Sequence, residues 1–547
     1  MQISEFKGIQ QYHDGRPVAD YCNVIPLGTS VIDRHGEILA CENNGIVTND
    51  TVVETFVDSE RNIYVARRYS LHRYHYESGI FVREKMMDFG QVVQNATFCE
   101  SSTKPGQVYF CNGTDVYYWH INAIDMPVEP GYEDRITPFK PTKIPLFKNL
   151  DTLRINGQTV AQYLNNNGYA ASSDPMPTLY GWWPESGYTD GDPMSVWSIT
   201  WFDNRLILVE RVNNTVWLSS IDPSRYLRPS IANNQGYYIP ILPWQIMSSE
   251  EPDTAIDVMF PNYYSSTASA ATLQDAVVFA GQLYFLNDLT IEVWSATGNN
   301  DNPIQHNSQN TLYYGGKSPV IIDDTLYLIC RGAIHNDFIA AINQSGGIEH
   351  ISNIEIERRF AGGAYRLRPL AVRDQSMVVA YTSNSYSEGY AVTHERMWWR
   401  FWNDDKNALA WSIINYDGHQ IGITHRGDLV EATEITRKYV DGNPILRSIC
   451  GGFMQLAARK ILREVEIICD TGIYMEAGAP RAKMYMRVSF DRGAHFGPYL
   501  YRALGANQNN NRVMLWRNCG SGNSILLDFG TSDNVRFQVY GLRFELS

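Results

Sequence analysis

The residue types that could do chemistry are spread thinly through this chain. His72 and His75 stand nearest together among the histidines, in the stretch LHRYH. Residues three apart on a strand point to opposite faces, so the two could not easily share a metal. His120, His335, His350, His394, His419, His425 and His495 are scattered singly. The eight cysteines, Cys22, Cys41, Cys99, Cys111, Cys330, Cys450, Cys469 and Cys519, form no CxxC. Several sit in apolar runs, where a reduced cysteine behaves as a small hydrophobe. That usage fits a protein made in a cytoplasm. No HExxH or GxSxG occurs. Gly316-Lys317-Ser318 matches the tail of a phosphate-binding loop, but Thr311 stands where its first glycine belongs.

Acid pairs give no stronger signal. Glycoside cleavage needs two carboxylates across a cleft. Asp323-Asp324, Asp404-Asp405 and Glu355 with Glu357 read as turn or edge acids. Ser489-Phe490-Asp491-Arg492-Gly493-Ala494-His495-Phe496 matches the sialidase Asp box, S-x-D-x-G-x-x-W/F. That box is a hairpin turn held by polar side chains, not a catalytic group. The expectation is therefore no catalytic residue, no bound cofactor, no metal ligand and no enzyme.

The elements that carry these residues are strands. Ala276–Gly298 reads as two of them, VVFAGQLYFLN and TIEVWSA, joined by a turn at Asn287-Asp288. In the second, Ile291 and Val293 alternate with Glu292 and Trp294, a period of two bounded by turn residues. The same design recurs at Arg61–Tyr76, Gly106–Ile121, Trp201–Asp222 and Ile322–Asn343, then over 366–400 and 408–433. Spacing of roughly 40–50 residues between uninterrupted units is that of propeller blades. With 34 Tyr and 13 Trp the composition also favours β structure. Helical signals are few; Thr159–Leu164 is one.

The fold class expected is all-β: a propeller of about six blades with loop insertions, and a C-terminal β-sandwich-like module. Residues 1–50 read as an extended N-terminal segment with short edge strands, 51–448 as the propeller and 449–547 as the C-terminal module. The prolines from Pro127 to Pro145 read as a linker or arm. Two insertions interrupt the blades, near 146–193 and 225–271. Long irregular segments inside a compact domain are commonly functional. Their aromatic residues, Trp182, Trp183, Tyr188, Tyr237, Tyr238, Trp244, Tyr263 and Tyr264, are the candidates for subunit contacts or a gate. The net charge of −14 argues against general affinity for nucleic acid. No stretch has the length of a membrane helix, and the start shows no signal peptide.

In order along the chain, these features resemble the packaged-DNA-stabilisation, or tail-nozzle, family of short-tailed phages. The matching stretches begin with Asp20-Tyr21 to Gly45-Ile46 and Ile221-Asp222-Pro223-Ser224-Arg225-Tyr226. Thr290-Ile291-Glu292-Val293-Trp294-Ser295-Ala296-Thr297-Gly298 is the strongest local match. Ile354–Glu357, Trp398–Trp402 and His425–Leu429 follow, then Ser489–Gly493, Arg512–Arg517 and Gly541–Leu546. The insertions near 146–193 and 225–271 depart from the family pattern. The resemblance implies a structural virion protein: a homo-hexameric ring in the virion tail, below the portal and its adaptor. It implies a fibre, spike or needle beneath, and DNA passing through the lumen without sequence-specific binding. The ring would close the channel, retain the packaged genome and open at ejection. A glycan-binding or glycan-cleaving propeller of a receptor-binding tail component is the alternative, and a plain propeller scaffold a third reading.

Overall fold

The computed structural model describes residues 50–122, 193–219, 272–331, 337–433, 445–470, 482–504 and 512–547, with short breaks. It also describes shorter pieces within 2–41, 138–146, 154–162, 188–189 and 262–265. Nearly every described element is a strand, and the fold is a β-propeller with additional strands. The chain forms two compact units, residues 47–317, and residues 1–46 with 318–547.

Residues 47–317 hold four antiparallel meanders of four strands each. The first runs through Val52–Val57, Ile63–Arg67, Ser70–Glu77 and Ile80–Asp88. The second runs through Thr97–Glu100, Gln107–Cys111, Val116–His120 and Thr142–Ile144. Ser198–Phe202, Arg205–Glu210, Thr215–Leu218 and Asn262–Ser265 form the third. Leu273–Phe279, Gln282–Asn287, Ile291–Ala296 and Ile304–His306 form the fourth. The second strands of the first three are buried at every residue. A strand covered on both faces needs apolar residues at consecutive positions, which is why these segments read as continuous hydrophobic runs. Tight hairpins link the strands. Ser78-Gly79 and Ala280-Gly281 have positive φ at both positions, the geometry of a two-residue turn matched to strand twist.

Neighbouring meanders pack face to face. Tyr64, Phe110 and Trp119 join the first to the second, with Phe98 packed against them. Val209, Val216 and Leu218 meet Phe285 and Trp294 between the third and fourth. Thr142–Ile144 lies in the proline-rich stretch expected to be a linker, yet it pairs with Val116–Tyr118 as an outer strand. Asn262–Ser265, expected inside an insertion, likewise completes the third meander.

The boundary at 317/318 falls within the first strand of a fifth meander, which comprises Gly315–Ile322, Thr325–Arg331, Asp337–Asn343 and Ile348–His350. Tyr365–Val372, Gln375–Thr382, Glu388–Val392 and Trp398–Trp402 repeat the pattern. Their sheet continues through Arg16–Cys22 into Arg447–Asp470. Ala410–Tyr416, His419–Thr424 and Leu429–Thr433 take their fourth strand, Gly36–Cys41, from the N-terminal region. Five blades are thus built each from four consecutive strands among the described residues, where about six were expected. The difference arises because the following meanders share strands with other parts of the chain.

The C-terminal module is built on two long strands, Arg447–Asp470 and Arg512–Thr531, of 24 and 20 residues. They pair along their length, with bulges at 451–454 and 455–460. The C-terminal half of Arg512–Thr531 also pairs with Lys483–Ser489, which pairs in turn with Leu500–Ala503. Its N-terminal half reaches that same far strand, where Trp516 Nε1 donates to Leu500 O and Arg502 Nε to Leu515 O, 3.0 and 3.3 Å. The sheet therefore folds over itself around Trp516, Phe529, Met484 and Val539, a sandwich-like core. Ile354–Phe360 is a helix, so Glu355 and Glu357 are not the turn or edge acids expected. Asp323 does stand at a turn, with positive φ.

Candidate functional site

Strand pairing within residues 1–46 and 318–547 assembles a row of polar groups that the sequence scatters over five hundred positions. Register sets Asp20 beside Cys450, Cys450 beside Asp528, and Asp528 beside Arg487. Arg400 NH2 lies 3.2 Å from Asp20 Oδ2, and Arg487 Nε donates to Asp528 Oδ2 at 2.6 Å. On the helix Ile354–Phe360, Arg359 Nε donates to Glu355 Oε1 at 2.7 Å and NH1 to Tyr390 Oη at 2.9 Å.

Burial governs the electrostatics of this row. It raises the carboxyl pKa of Asp528, against the pull of Arg487. Burial also pushes the Cys450 thiol up, and Asp528 and Asp20 add to the effect. A thiol so raised is no nucleophile at neutral pH. Arg359 is held above its ordinary value: burial alone would lower it, but Tyr390, Asp20 and Glu355 outweigh that. The row is a network of paired charges that fixes strands.

At its far end the row becomes aromatic and exposed. Arg487 Cζ lies 4.6 Å from the Phe496 ring centroid and 4.9 Å from that of Tyr499. Tyr485 meets Tyr499 edge-on at 5.1 Å, and Tyr499 stacks with Tyr501 at 6.1 Å. Tyr499 and Tyr501 are 50% and 56% exposed. The loop before them is the Asp-box turn expected from sequence. Ser489 Oγ accepts from Gly493 N at 2.8 Å, and Asp491 Oδ1 accepts from His495 N at 2.9 Å.

Two other clusters contain serine, histidine and a carboxylate. Ser70 Oγ donates to Asp50 Oδ2 at 3.0 Å and lies 2.9 Å from His72 Nε2. The serine thus stands between acid and histidine, and all three are buried. A nucleophilic triad needs the histidine in the middle. At the second, His350 Nε2 faces both Glu357 Oε1 and Ser352 Oγ, at 2.5 and 3.1 Å. One nitrogen cannot take the serine proton while bound to the acid that should hold the other nitrogen. Neither geometry is that of a triad. Buried Glu210 and Glu292 accept from the indoles of Trp217 and Trp294, at 3.3 and 3.2 Å, and lock their blades.

Gly315 and Gly316 open a strand rather than a phosphate loop. A Cβ on Gly315 would lie 1.9 Å from Asp288 O, so glycine is needed there for backbone packing. Among the described residues no cluster of three or more His, Cys, Asp or Glu is placed to hold a metal ion. No described helix is long and apolar enough to cross a membrane.

The aromatic candidates from the insertions divide. Tyr264 stands on the third meander's outer strand, 5.5 Å from the Trp294 ring, and its hydroxyl donates to Asn302 Oδ1 at 2.7 Å. Tyr263, on that same outer strand, pairs with Trp217 of the neighbouring strand Thr215–Leu218. Tyr188 belongs to a short strand, Tyr188–Thr189, paired with Arg154–Ile155. Trp182, Trp183, Tyr237, Tyr238 and Trp244 lie outside the described residues. Sequence reading missed Tyr499 and Tyr501; a tyrosine pair two apart just after an Asp box is the signal that points to them.

No family model matches the chain, and no curated protein does. Among solved structures it is similar to virginiamycin B lyase from Staphylococcus aureus, with TM-score 0.38 and 10% identity, covering 70% of this chain and 95% of that one. It is similar to BamB from Moraxella catarrhalis, with TM-score 0.33 and 8% identity over 74% and 98% of the two chains. The WD40 domain of Neurospora crassa Pan2 gives TM-score 0.38 and 6% identity, over 74% and 97%. Likenesses at this level carry no argument about activity.

Proposed function

We propose that this chain is a tail-nozzle protein of a short-tailed phage, a structural ring subunit that retains the packaged genome and lets it pass at ejection. The observation that carries the reading is the ordered series of family-like stretches from Asp20-Tyr21 to Gly541–Leu546. Charge distribution supports it. Residues 47–317 hold 17 Lys and Arg against 29 Asp and Glu, whereas 447–547 hold 13 against 8. An acidic β wall repels duplex DNA and lets it slide without sticking. Opposite charge on two parts of one chain favours head-to-tail contact between copies, the kind of contact that closes a ring. In this reading the ring sits in the virion tail, joined to a portal adaptor above and a fibre, spike or needle protein below.

The test is native mass measurement of the purified chain, alone and with the portal–adaptor complex of its phage. The expected result is a discrete six-copy species on the complex. A chain that stays monomeric in both samples, from a phage whose particles keep their DNA without it, would overturn the reading.

A further inference from the structure

We propose that the basic bulge at 455–463 docks on the acidic surface of residues 47–317 in a second copy of this chain. Three observations converge on it. First, the long strand Arg447–Asp470 leaves its ladder here. Gln455 pairs with Ser524 and Lys460 with Gly522, so Leu456, Ala457, Ala458 and Arg459 stand opposite Asn523 alone. A bulge re-aims the residues it carries, and bulges are common beside functional surfaces. Ala457 through Ile461 are all exposed, Ile461 to 54%, and so is Arg463. Second, the bulge is held in place before any partner arrives. Leu462 is buried in the core and Leu456 packs against it. Gln455 Nε2 donates to Asn523 O at 3.3 Å, and Arg459 Nε and NH2 donate to Ser521 Oγ at 3.1 and 3.0 Å. Ile461 N donates to Ser547 O at 2.9 Å, and Ser547 N donates to Ile461 O at 3.0 Å. Third, the charge is one-sided. The bulge holds Arg459, Lys460 and Arg463 and no acid. None of the three has a carboxylate partner among the described residues, and the next acid along the chain, Glu464, is taken by Arg517 at 3.0 Å.

The occupant follows from charge and from the apolar residues set among the cations. Residues 47–317 carry 29 acids against 17 bases, so a second copy offers the sign that the bulge lacks. A phosphate backbone would use the cations but leave Ala457, Ala458 and Ile461 in water, whereas a protein surface covers both kinds of residue. Two bulges would repel each other, so the contact is between unlike faces of two copies. This gives the proposed head-to-tail contact a definite face and rests on that reading for closure into a ring. The contact itself is tested on the chain alone, so the two can fail separately.

The experiment is sedimentation of the purified full chain at up to about 100 μM, which reaches a contact with a Kd near that value, in about 50 mM and about 500 mM salt. Self-association is expected at low salt and should weaken about tenfold or more at high salt. Arg459→Glu, Lys460→Glu and Arg463→Glu together should weaken it by about tenfold or more at low salt. Arg459→Lys with Arg463→Lys keeps the charges and should retain it. A photo-crosslinking residue in place of Ile461 should join one copy to residues 47–317 of an isotope-labelled second copy. If the glutamate variant melts differently from the parent, the lysine variant and the crosslink decide. A chain that stays monomeric at low salt, association unchanged by charge reversal, or crosslinks that miss 47–317 would overturn the proposal. So would a duplex oligonucleotide that binds the bulge and blocks association. Six copies of the glutamate variant on the portal–adaptor complex would overturn the contact and leave the nozzle reading standing. Association through the bulge with no six-copy species would do the reverse.

Discussion

His72 is buried, with Arg67, Arg83 and Lys85 close enough to act on it. Burial first, then those three cations, lowers its pKa to about 3, and Asp88 only partly opposes them. The unfolded chain takes up this proton near pH 6.5 or so, the folded chain near 3. The unfolded state thus binds more protons between those values. Stability that His72 contributes is present above about pH 6.5 and is lost as pH falls toward 3, by at most about 1.4 kcal/mol per unit. Replacing it by glutamine, which cannot charge, should flatten the loss. Urea midpoints of parent and His72→Gln across this range measure it, and parallel curves would sink the argument. Sequence could say that His72 lacked a metal partner three residues away. It could not say that Ser70 links it to Asp50, since Asp50 lies ahead of the strand Val52–Val57 and meets Ser70 only through the fold.

Among the elements, the long strand Arg512–Thr531 was the least legible. Read from sequence it breaks in two, Arg512–Trp516 and Ser524–Phe529, because Gly520, Ser521 and Gly522 look like a turn. The glycines serve a different purpose. A Cβ on Gly522 would lie 2.6 Å from Phe490 Cβ, and one on Gly520 2.6 Å from Phe490 Cε2. The Phe490 ring covers both and fills the space that side chains would occupy. That contact joins residues thirty apart, so no local pattern reports it. The blades were legible for the opposite reason: their apolar runs and turn residues are local, and pairing only confirms them. Gly522→Ala should cost about 1–3 kcal/mol through overpacking. Adding Phe490→Ala, which removes the Cγ and Cδ1 that the new methyl would meet, should recover part of it, as contacting residues are not additive. Thermal unfolding of the two single variants and the double variant checks this, and strict additivity would mean that the ring and the glycine do not meet.

On the scale of the whole molecule, the two units use the N-terminal residues unequally. Residues 47–317 build their four meanders from their own strands. In the other unit, Arg16–Cys22 lies between Trp398–Trp402 and Arg447–Asp470, and Gly36–Cys41 closes the sheet of 410–433. Asp20 brings one carboxylate to the charged row, and Tyr21, Val24, Ile25, Val31 and Ile32 stand in its largest core. The sequence reading of this stretch as edge strands understates it, because short strands show no sign of which neighbours they join. Removing residues 1–46 would therefore leave Trp398–Trp402, Arg447–Asp470 and Leu429–Thr433 each with an unpaired edge, expose buried apolar surface and take Asp20 away from Arg400. Residues 47–317 expressed alone should unfold cooperatively, with the far-ultraviolet signal of β structure. Residues 318–547 alone should not, and adding back a peptide of residues 1–46 should restore protection of amide hydrogens in Arg447–Asp470. If 318–547 folded cooperatively without that peptide, the N-terminal strands would be an attachment to the sheet rather than part of its core.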